Sequence, residues 1–364
     1  MKGQAVYLYA FDVANEIATE RIREILCAKP FPFEIRMGKT IPKDVPLYRP
    51  LTIALPPREA DSNVGRVTLK PFVKIFDLGV VSVSIEIPFD RPATDLVPFH
   101  HVTLSDGRTL DKLAGEIRAQ VVQSIRPALL RPTEPGAAPE AYTVFCVADP
   151  DGAPDVPQWV RARRRDIAAL LMEETDAALL SDAQVDEVMD HTLSYTVHDS
   201  VVIDWDAALV LDRDAYYDDV LYVLELANLQ LEEFQYIDGT LDALLNRAYD
   251  DLDRYFGRTN VFGIPEKTLS SLRRMQMDLT KMSDEATNIA KFSGDWYLAR
   301  VYLACHERFH IDGWRAGVRD KLASLDHLYT LAQTDINNRR MVLMEGLIIV
   351  LFIIDLLALV LAKK

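Results

Sequence analysis

The feature that most constrains this chain is its apolar tail, MVLMEGLIIVLFIIDLLALVLA, residues 341–362. Within it only Glu345 and Asp355 are charged, and basic pairs flank it, Arg339-Arg340 before and Lys363-Lys364 after. As a helix rising about 1.5 Å per residue it spans about 33 Å, enough for a hydrocarbon core of about 30 Å. A buried core helix competes with this reading. Such a helix is rarely apolar on every face. The expectation is therefore one C-terminal transmembrane helix, a single-pass anchor over 341–362.

The N-terminus, MKGQAVYLYAFDV, runs almost at once into a strand pattern. It lacks a basic start, a long apolar stretch and an A-x-A site, and it is not an Arg- and Ser-rich transit segment. The first 340 residues are then expected in the cytoplasm. A net charge of −15 opposes direct nucleic-acid binding. The dense basic run Arg161, Arg163, Arg164 and Arg165 reads as a solvated helix face. Cys27, Cys146 and Cys305 are far apart and odd in number, as expected of reduced thiols.

Three regions are expected: an α+β domain over 1–212, a helical coiled-coil region over 213–340, and the transmembrane helix over 341–362. In the first, strands are expected at Val6–Phe11 and Tyr142–Ala148, with helices at Asn15–Leu26, Asp106–Leu129 and from Pro157 to about Ala178. Val81, Val83, Ile85 and Ile87 alternate with Ser82, Ser84 and Glu86, the period of a half-buried strand, after a turn at Asp77-Leu78-Gly79. Leu193–Val197 and Val201–Leu211 suggest a hairpin around Asp199-Ser200. Helices between adjacent antiparallel strands suggest an α+β sandwich.

From Asp214 the apolar spacing changes to alternating fours and threes: Val220, Leu224, Ala227, Leu231, Phe234, then Leu241, Leu245, Ala248, Leu252 and Tyr255, with Asp238 the one polar member. Such a repeat favours coiled-coil packing. After a break at Gly257–Pro265 a second series runs from Leu272 to Ile289. A bend at Ser293-Gly294-Asp295 precedes a third series: Ile311, Trp314, Val318, Leu322, Leu325, Tyr329, Ala332 and Ile336. This last helix is expected to continue into the anchor as one rod.

The pattern of Arg339-Arg340, Glu345, the apolar run Gly346–Ile354, Asp355 and the tail Leu356–Ala362 resembles the "required for meiotic nuclear division" family. So do the Leu193–Leu211 hairpin, the long helix from Leu221 to Phe234 and the Ile264-Pro265 break. The likeness covers roughly 190–362, and Asp355 stands where that family usually has Glu. It implies a membrane-tethered, oligomer-forming protein without established enzymatic activity and, as no transit segment is seen, one placed in a bacterial cytoplasmic (inner) membrane.

Asp355 near mid-bilayer would cost about 2.5–3.5 kcal/mol. Protonation, or contact with other copies, would reduce that cost. Homo-oligomerisation is expected on this ground. Arg339, Arg340, Glu345, Asp355, Lys363 and Lys364 are the expected anchoring and assembly residues.

His306-Glu307-Arg308-Phe309-His310 is a formal H-E-x-x-H. On a helix it would place two imidazoles on one face to hold zinc, with Glu307 as general base. The third ligand of a metzincin would fall on Ala316, which cannot bind metal. The segment also fits the third helical series, so a structural His pair is preferred. Met37-Gly38-Lys39-Thr40 imitates the end of a P-loop, but Phe33 stands where its first Gly belongs. Asp204-Trp205-Asp206 offers carboxylates, read as solvent-facing. The architecture is distantly similar to CorA-like magnesium channels, but those need two membrane helices and a Gly-Met-Asn signature.

The expected role is thus a non-enzymatic, membrane-anchored oligomeric scaffold or tether organising cytosolic partners, with no cofactor. Its expected partners are the lipid bilayer, other copies of the chain and an unidentified cytosolic protein. A zinc metallopeptidase at His306, Glu307 and His310 is one alternative. A channel-like homo-oligomer is another.

Overall fold

A computed structural model describes residues 1–28, 34–35, 50–77, 79–133, 139–256, 277 and 296–361. Met37–Thr40, the Gly257–Pro265 break, the helical series from Leu272 to Ile289, the Ser293–Asp295 bend and Lys363-Lys364 lie outside the described residues. So do the side chains of Cys27, Leu252, Tyr255, Ala332, Ile336 and Arg339.

The described elements are, in order, β1 (Lys2–Asp12), β2 (Ala14–Ile17), α1 (Thr19–Ala28), β3 (Glu34–Ile35), β4 (Leu51–Ala54), β5 (Arg58–Ser62), β6 (Gly65–Ile75) and β7 (Val80–Asp90). There follow α2 (Leu110–Ile125), β8 (Leu129–Pro132), β9 (Glu140–Asp149), α3 (Val156–Ala162), α4 (Arg164–Leu171), α5 (Asp182–Met189), β10 (Thr192–Leu193), β11 (Asp199–Ile203) and β12 (Ala207–Asp212). Three described helices come last: α6 (Asp218–Phe256), α7 (Trp296–Arg308) and α8 (Ile311–Leu361). The chain forms two compact units, Met1–Tyr236 with Ala286–Asp312, and Ile237–Glu285 with Gly313–Lys364.

In the first unit the strand order is β10-β11-β12-β9-β1-β7-β6-β4-β3, with β5 also on β6. The central strand, β1, pairs antiparallel with β7 and β9. Gly3 passes so close to β9 that a Cβ there would lie 1.9 Å from the Cys146 carbonyl oxygen. The sheet is mixed rather than antiparallel throughout, because β12 lies parallel to β9. The turn before β7 falls where expected, with Gly79 in the left-handed region at φ +97. The expected hairpin turn at Asp199-Ser200 is displaced: Asp199 opens β11, and the reversal between β11 and β12 lies at 204–206. The helix expected from Pro157 divides at Arg163 into α3 and α4. Asp155 caps α3 by accepting from the Gln158 backbone N–H at 2.8 Å.

One sheet face carries Ala5, Tyr7 and Tyr9 of β1 and Val81, Val83, Ile85 and Ile87 of β7, packed with Leu113, Ala114 and Ile117 of α2 in one apolar core. The opposite face is covered too. Tyr222, Leu226 and Leu229 of α6 pack with Ala10, Phe76 and Val80. Ser82 and Ser84 are therefore buried, and β7 is not the half-exposed strand its alternation suggests. Period-2 polarity here marks a polar seam inside the protein. The Ser82 hydroxyl donates to Glu225 Oε1 of α6 at 2.6 Å, and Lys74 pairs with the other oxygen of the same buried carboxylate. A buried carboxylate needs such partners, because desolvation penalises its charge.

The first half of α6 departs from a two-helix seam for the same reason. Val220, Leu224, Ala227, Leu231 and Phe234 are buried, but so are Tyr222, Val223, Leu226 and Leu229 on its other sides. The Tyr302 hydroxyl of α7 donates to Gln230 of α6 at 2.5 Å. This stretch of α6 is core, not coiled-coil surface. In the second unit part of the repeat is buried. Leu241 and Ala248 of α6 and Val318, Leu322, Leu325 and Tyr329 of α8 are buried. Asp238, the polar member of the repeat, and Asp242 bind Lys321 Nζ at 2.8 and 2.7 Å.

The expected single-pass anchor must be corrected. Residues 341–361 are helical and close the 51-residue α8. Among the described residues, however, no helix is long and apolar enough to cross a membrane. The uninterrupted apolar run between Glu345 and Asp355 is 346–354. As a helix it rises about 14 Å, roughly half of a hydrocarbon core. The fold class that ended in a transmembrane helix falls with this, as does the single-pass membrane placement. What remains is an α/β unit with a large mixed sheet, followed by long helices.

Candidate functional site

The H-E-x-x-H segment does not lie on one helical face. Helix α7 ends at Arg308, and His310 sits in the left-handed region at φ +51. The Phe309 ring turns inward and meets Tyr142 edge-on at 5.1 Å between centroids. His306 Nδ1 lies 3.7 Å from Asp312, whereas the His310 ring lies tilted against Trp205, 5.5 Å between centroids. Glu307 is 80% exposed and lies 3.7 Å from His191. The helical premise of a zincin site thus fails at the step that should bring the imidazoles together. Among the described residues, no group of three His, Cys, Asp or Glu side chains is placed to hold a metal ion.

The middle residue of the motif does the structural work. Arg308 Nε donates to Asp204 Oδ1 at 2.7 Å, and Nη1 reaches Glu187 at 3.1 Å. The Asp204 carboxylate, read from sequence as solvent-facing, is buried under this guanidinium. Burial pushes the neighbouring Asp206 carboxyl up, helped by Glu173 and Asp204. The Arg308–Asp204 pair joins α7 to the β11–β12 turn across 104 residues of sequence.

Two further polar clusters lie in the same unit. His100 is buried, with Nε2 2.7 Å from the Leu170 carbonyl and Nδ1 3.2 Å from Glu173 Oε1. Glu173 accepts from His101 Nε2 at 2.6 Å through its other oxygen. Burial holds the His100 imidazole below its ordinary pKa, against the pull of Glu173. At the end of β1, burial pushes both Asp12 and Glu232 up to about 7, and Glu140 also rises. The Thr133 hydroxyl donates to Asp12 at 3.3 Å, and the Glu140 backbone N–H donates to Glu232 at 3.2 Å.

Beside β10 a cavity of about 500 Å³ is lined by Pro157, Val160 and Arg161 of α3, Arg164 of α4, Met189 of α5, and Thr192 and Ser194. The basic run read as a solvated face is mostly engaged here. Arg163 pairs with Asp151 at 3.2 Å and lies over the Trp159 ring, Arg164 pairs with Asp186, and Arg165 with Asp182. Among the described residues Arg161 forms no ion pair. Its neighbours in the cavity wall come from four elements, so sequence inspection had no means of grouping them.

Of the expected assembly residues, Arg340, Glu345 and Asp355 are described at the end of α8. All three are exposed there, among large apolar side chains that are also exposed from Met341 to Leu361. Cys146 and Cys305 are free thiols, fully buried, and burial raises both above the ordinary thiol range.

Comparison with known proteins points away from the resemblance drawn from the tail. A protein of Methanocaldococcus jannaschii, "Uncharacterized protein MJ0711", is 21% identical over 227 residues. The match spans 62% of this chain and 66% of the relative, just short of two thirds of its length. No solved structure matches. The likeness to the "required for meiotic nuclear division" family is overturned. It rested on 190–362, chiefly on the spacing of two acids in an apolar run, a pattern of low information content. The family match falls instead mainly on the α/β unit. An archaeal relative, with no membrane-crossing helix among the described residues, also removes the expected bacterial cytoplasmic-membrane location. Residues 2–218, more than half of the chain, match the family described as "Uncharacterized protein MJ0711, N-terminal domain", and the chain belongs to that family.

Proposed function

We propose that this protein is a self-assembling scaffold, in which the end of α8 joins several copies of the chain and so gathers several α/β units into one particle. The observation that carries this reading is the exposed apolar surface between Met341 and Leu361, which includes Leu347, Ile348, Phe352 and Ile353 on successive faces of the helix. Surfaces of this kind mark interaction sites. A helix apolar on all sides is covered fully only when neighbours surround it. A second copy supplies an identical helix at matching concentration, and closed symmetric assemblies are the usual result. Fully burying one such side chain contributes about 1.5–3 kcal/mol, against an association cost of about 4–15 kcal/mol, so covering ten of them exceeds the cost.

The test is the mass of the intact chain by light scattering and sedimentation at micromolar concentration. An oligomer that dissociates in the double variant Ile348→Asp and Phe352→Asp, with the far-ultraviolet spectrum retained, is the expected result. A monodisperse monomer of the unaltered chain sinks the proposal.

A further inference from the structure

We infer that the cavity beside β10 is a binding site for a small amphipathic oxyanion, a carboxylate or phosphate monoester carried on an apolar body, with Arg161 as its cationic anchor. This site is independent of assembly through α8. The cavity, about 500 Å³, falls in the range that small-molecule pockets occupy. Its wall has two chemistries. Pro157 and Met189 supply apolar surface over a fully buried Val160, and Arg161 stands exposed at the rim. Arg161 and Arg164 supply charge, and they differ in availability. The Arg164 guanidinium is neutralised by Asp186, whereas Arg161 has no ion pair among the described residues. The wall therefore carries one uncompensated positive charge in a chain of net charge −15. Guanidinium offers paired N–H donors that match carboxylate or phosphate oxygens.

The hydroxyls refine the ligand. Thr192 Oγ1 donates to the Met189 carbonyl at 2.7 Å, and Ser194 Oγ donates to Ser200 Oγ at 3.2 Å. With their protons engaged inside the protein, both oxygens are left as acceptors. The preferred ligand then carries a donor, such as a hydroxyl, next to its anionic group.

Isothermal titration of the intact chain with inorganic phosphate, phenyl phosphate, 3-phenylpropionate and 3-phenyllactate tests this. Saturable binding is expected for phenyl phosphate or 3-phenyllactate, with 3-phenyllactate tighter than 3-phenylpropionate and inorganic phosphate the weakest. The better of the two organic anions identifies a phosphate or a carboxylate source. A charged hydrogen bond of about 1.5–3 kcal/mol corresponds to about tenfold or more, so Arg161→Gln should weaken binding by at least that factor. Arg161→Lys should retain part of the affinity. Arg58→Gln, the same charge change at an exposed residue of β5, should leave it within about twofold. The inference is overturned if no organic probe saturates, if inorganic phosphate binds as tightly as the organic anions, or if Arg161→Gln and Arg58→Gln weaken binding equally.

Discussion

Strand β7 and the end of α8 are built from the same residue types and meet opposite fates. Val81, Val83, Ile85 and Ile87 are completely buried, whereas Ile348, Ile349 and Ile353 are more than half exposed. On β7, each apolar side chain meets β1, β6 or α2, and even the intervening serines are covered by α6. On α8, the backbone satisfies its own hydrogen bonds, and the described side chains between 341 and 361 stay exposed. Apolar character says that a surface is to be covered. It does not say by what. A strand must find neighbours to pair its backbone, and those neighbours bring their side chains with them. A helix carries no such obligation.

The comparison breaks or sharpens under substitution. The largest effect is expected at the buried polar contact of the first unit. Arg308→Ala leaves Asp204 buried without its partner and should cost about 3–5 kcal/mol, read from the urea midpoint. Glu307→Gln, one residue away and 80% exposed, should change stability by less than about 1 kcal/mol. If the two variants behaved alike, the burial assigned to the Arg308 contact would be wrong. Next, Ile85→Ala should cost about 2–5 kcal/mol, while Ile348→Ala in dilute protein should stay within about 0.5 kcal/mol. A cost at Ile348 that rises with protein concentration would sharpen the contrast into assembly, and a large cost independent of concentration would break it.

A smaller effect concerns pH. The carboxyl of Asp12, pushed up to about 7 by burial, binds its proton more tightly folded than unfolded. Its contribution favours the folded state below the ordinary carboxylate range and is lost as pH rises towards 7. His100 acts in the opposite sense, since its lowered pKa withdraws stability as pH falls below about 6.5. Asp12→Asn removes only the first of these. Unfolding free energies of the two proteins between pH 4 and 8 should show the wild type losing stability relative to Asp12→Asn as pH rises. Parallel curves would show that Asp12 titrates normally.

Several elements were legible in the sequence because their signals are local. The alternation at Val81–Ile87 placed β7, Gly79 marked its turn, and the repeat through Val318, Leu322 and Leu325 marked the buried face of α8. Signals that depend on remote partners were misread. Asp204 looked solvent-facing because nothing near it in sequence announces Arg308. The zinc motif, set second to a structural His pair, stayed open as an alternative because spacing alone cannot show that α7 stops before His310. The tail looked like an anchor because its composition was weighed above the two acids that divide it.

Composition and periodicity by themselves placed β7 and the turn before it, showed that this acidic chain carries a long apolar tail, and marked Leu241, Ala248, Val318, Leu322 and Leu325 as residues to be buried. These depend on short-range sterics and on the side-chain periods of helix and strand. Only the tertiary structure decided that both faces of β7 are covered and that Arg308 neutralises Asp204. Each of these depends on which distant segments share a low-dielectric interior, and the free energy of a charge there is set by its partners rather than by its place in the chain.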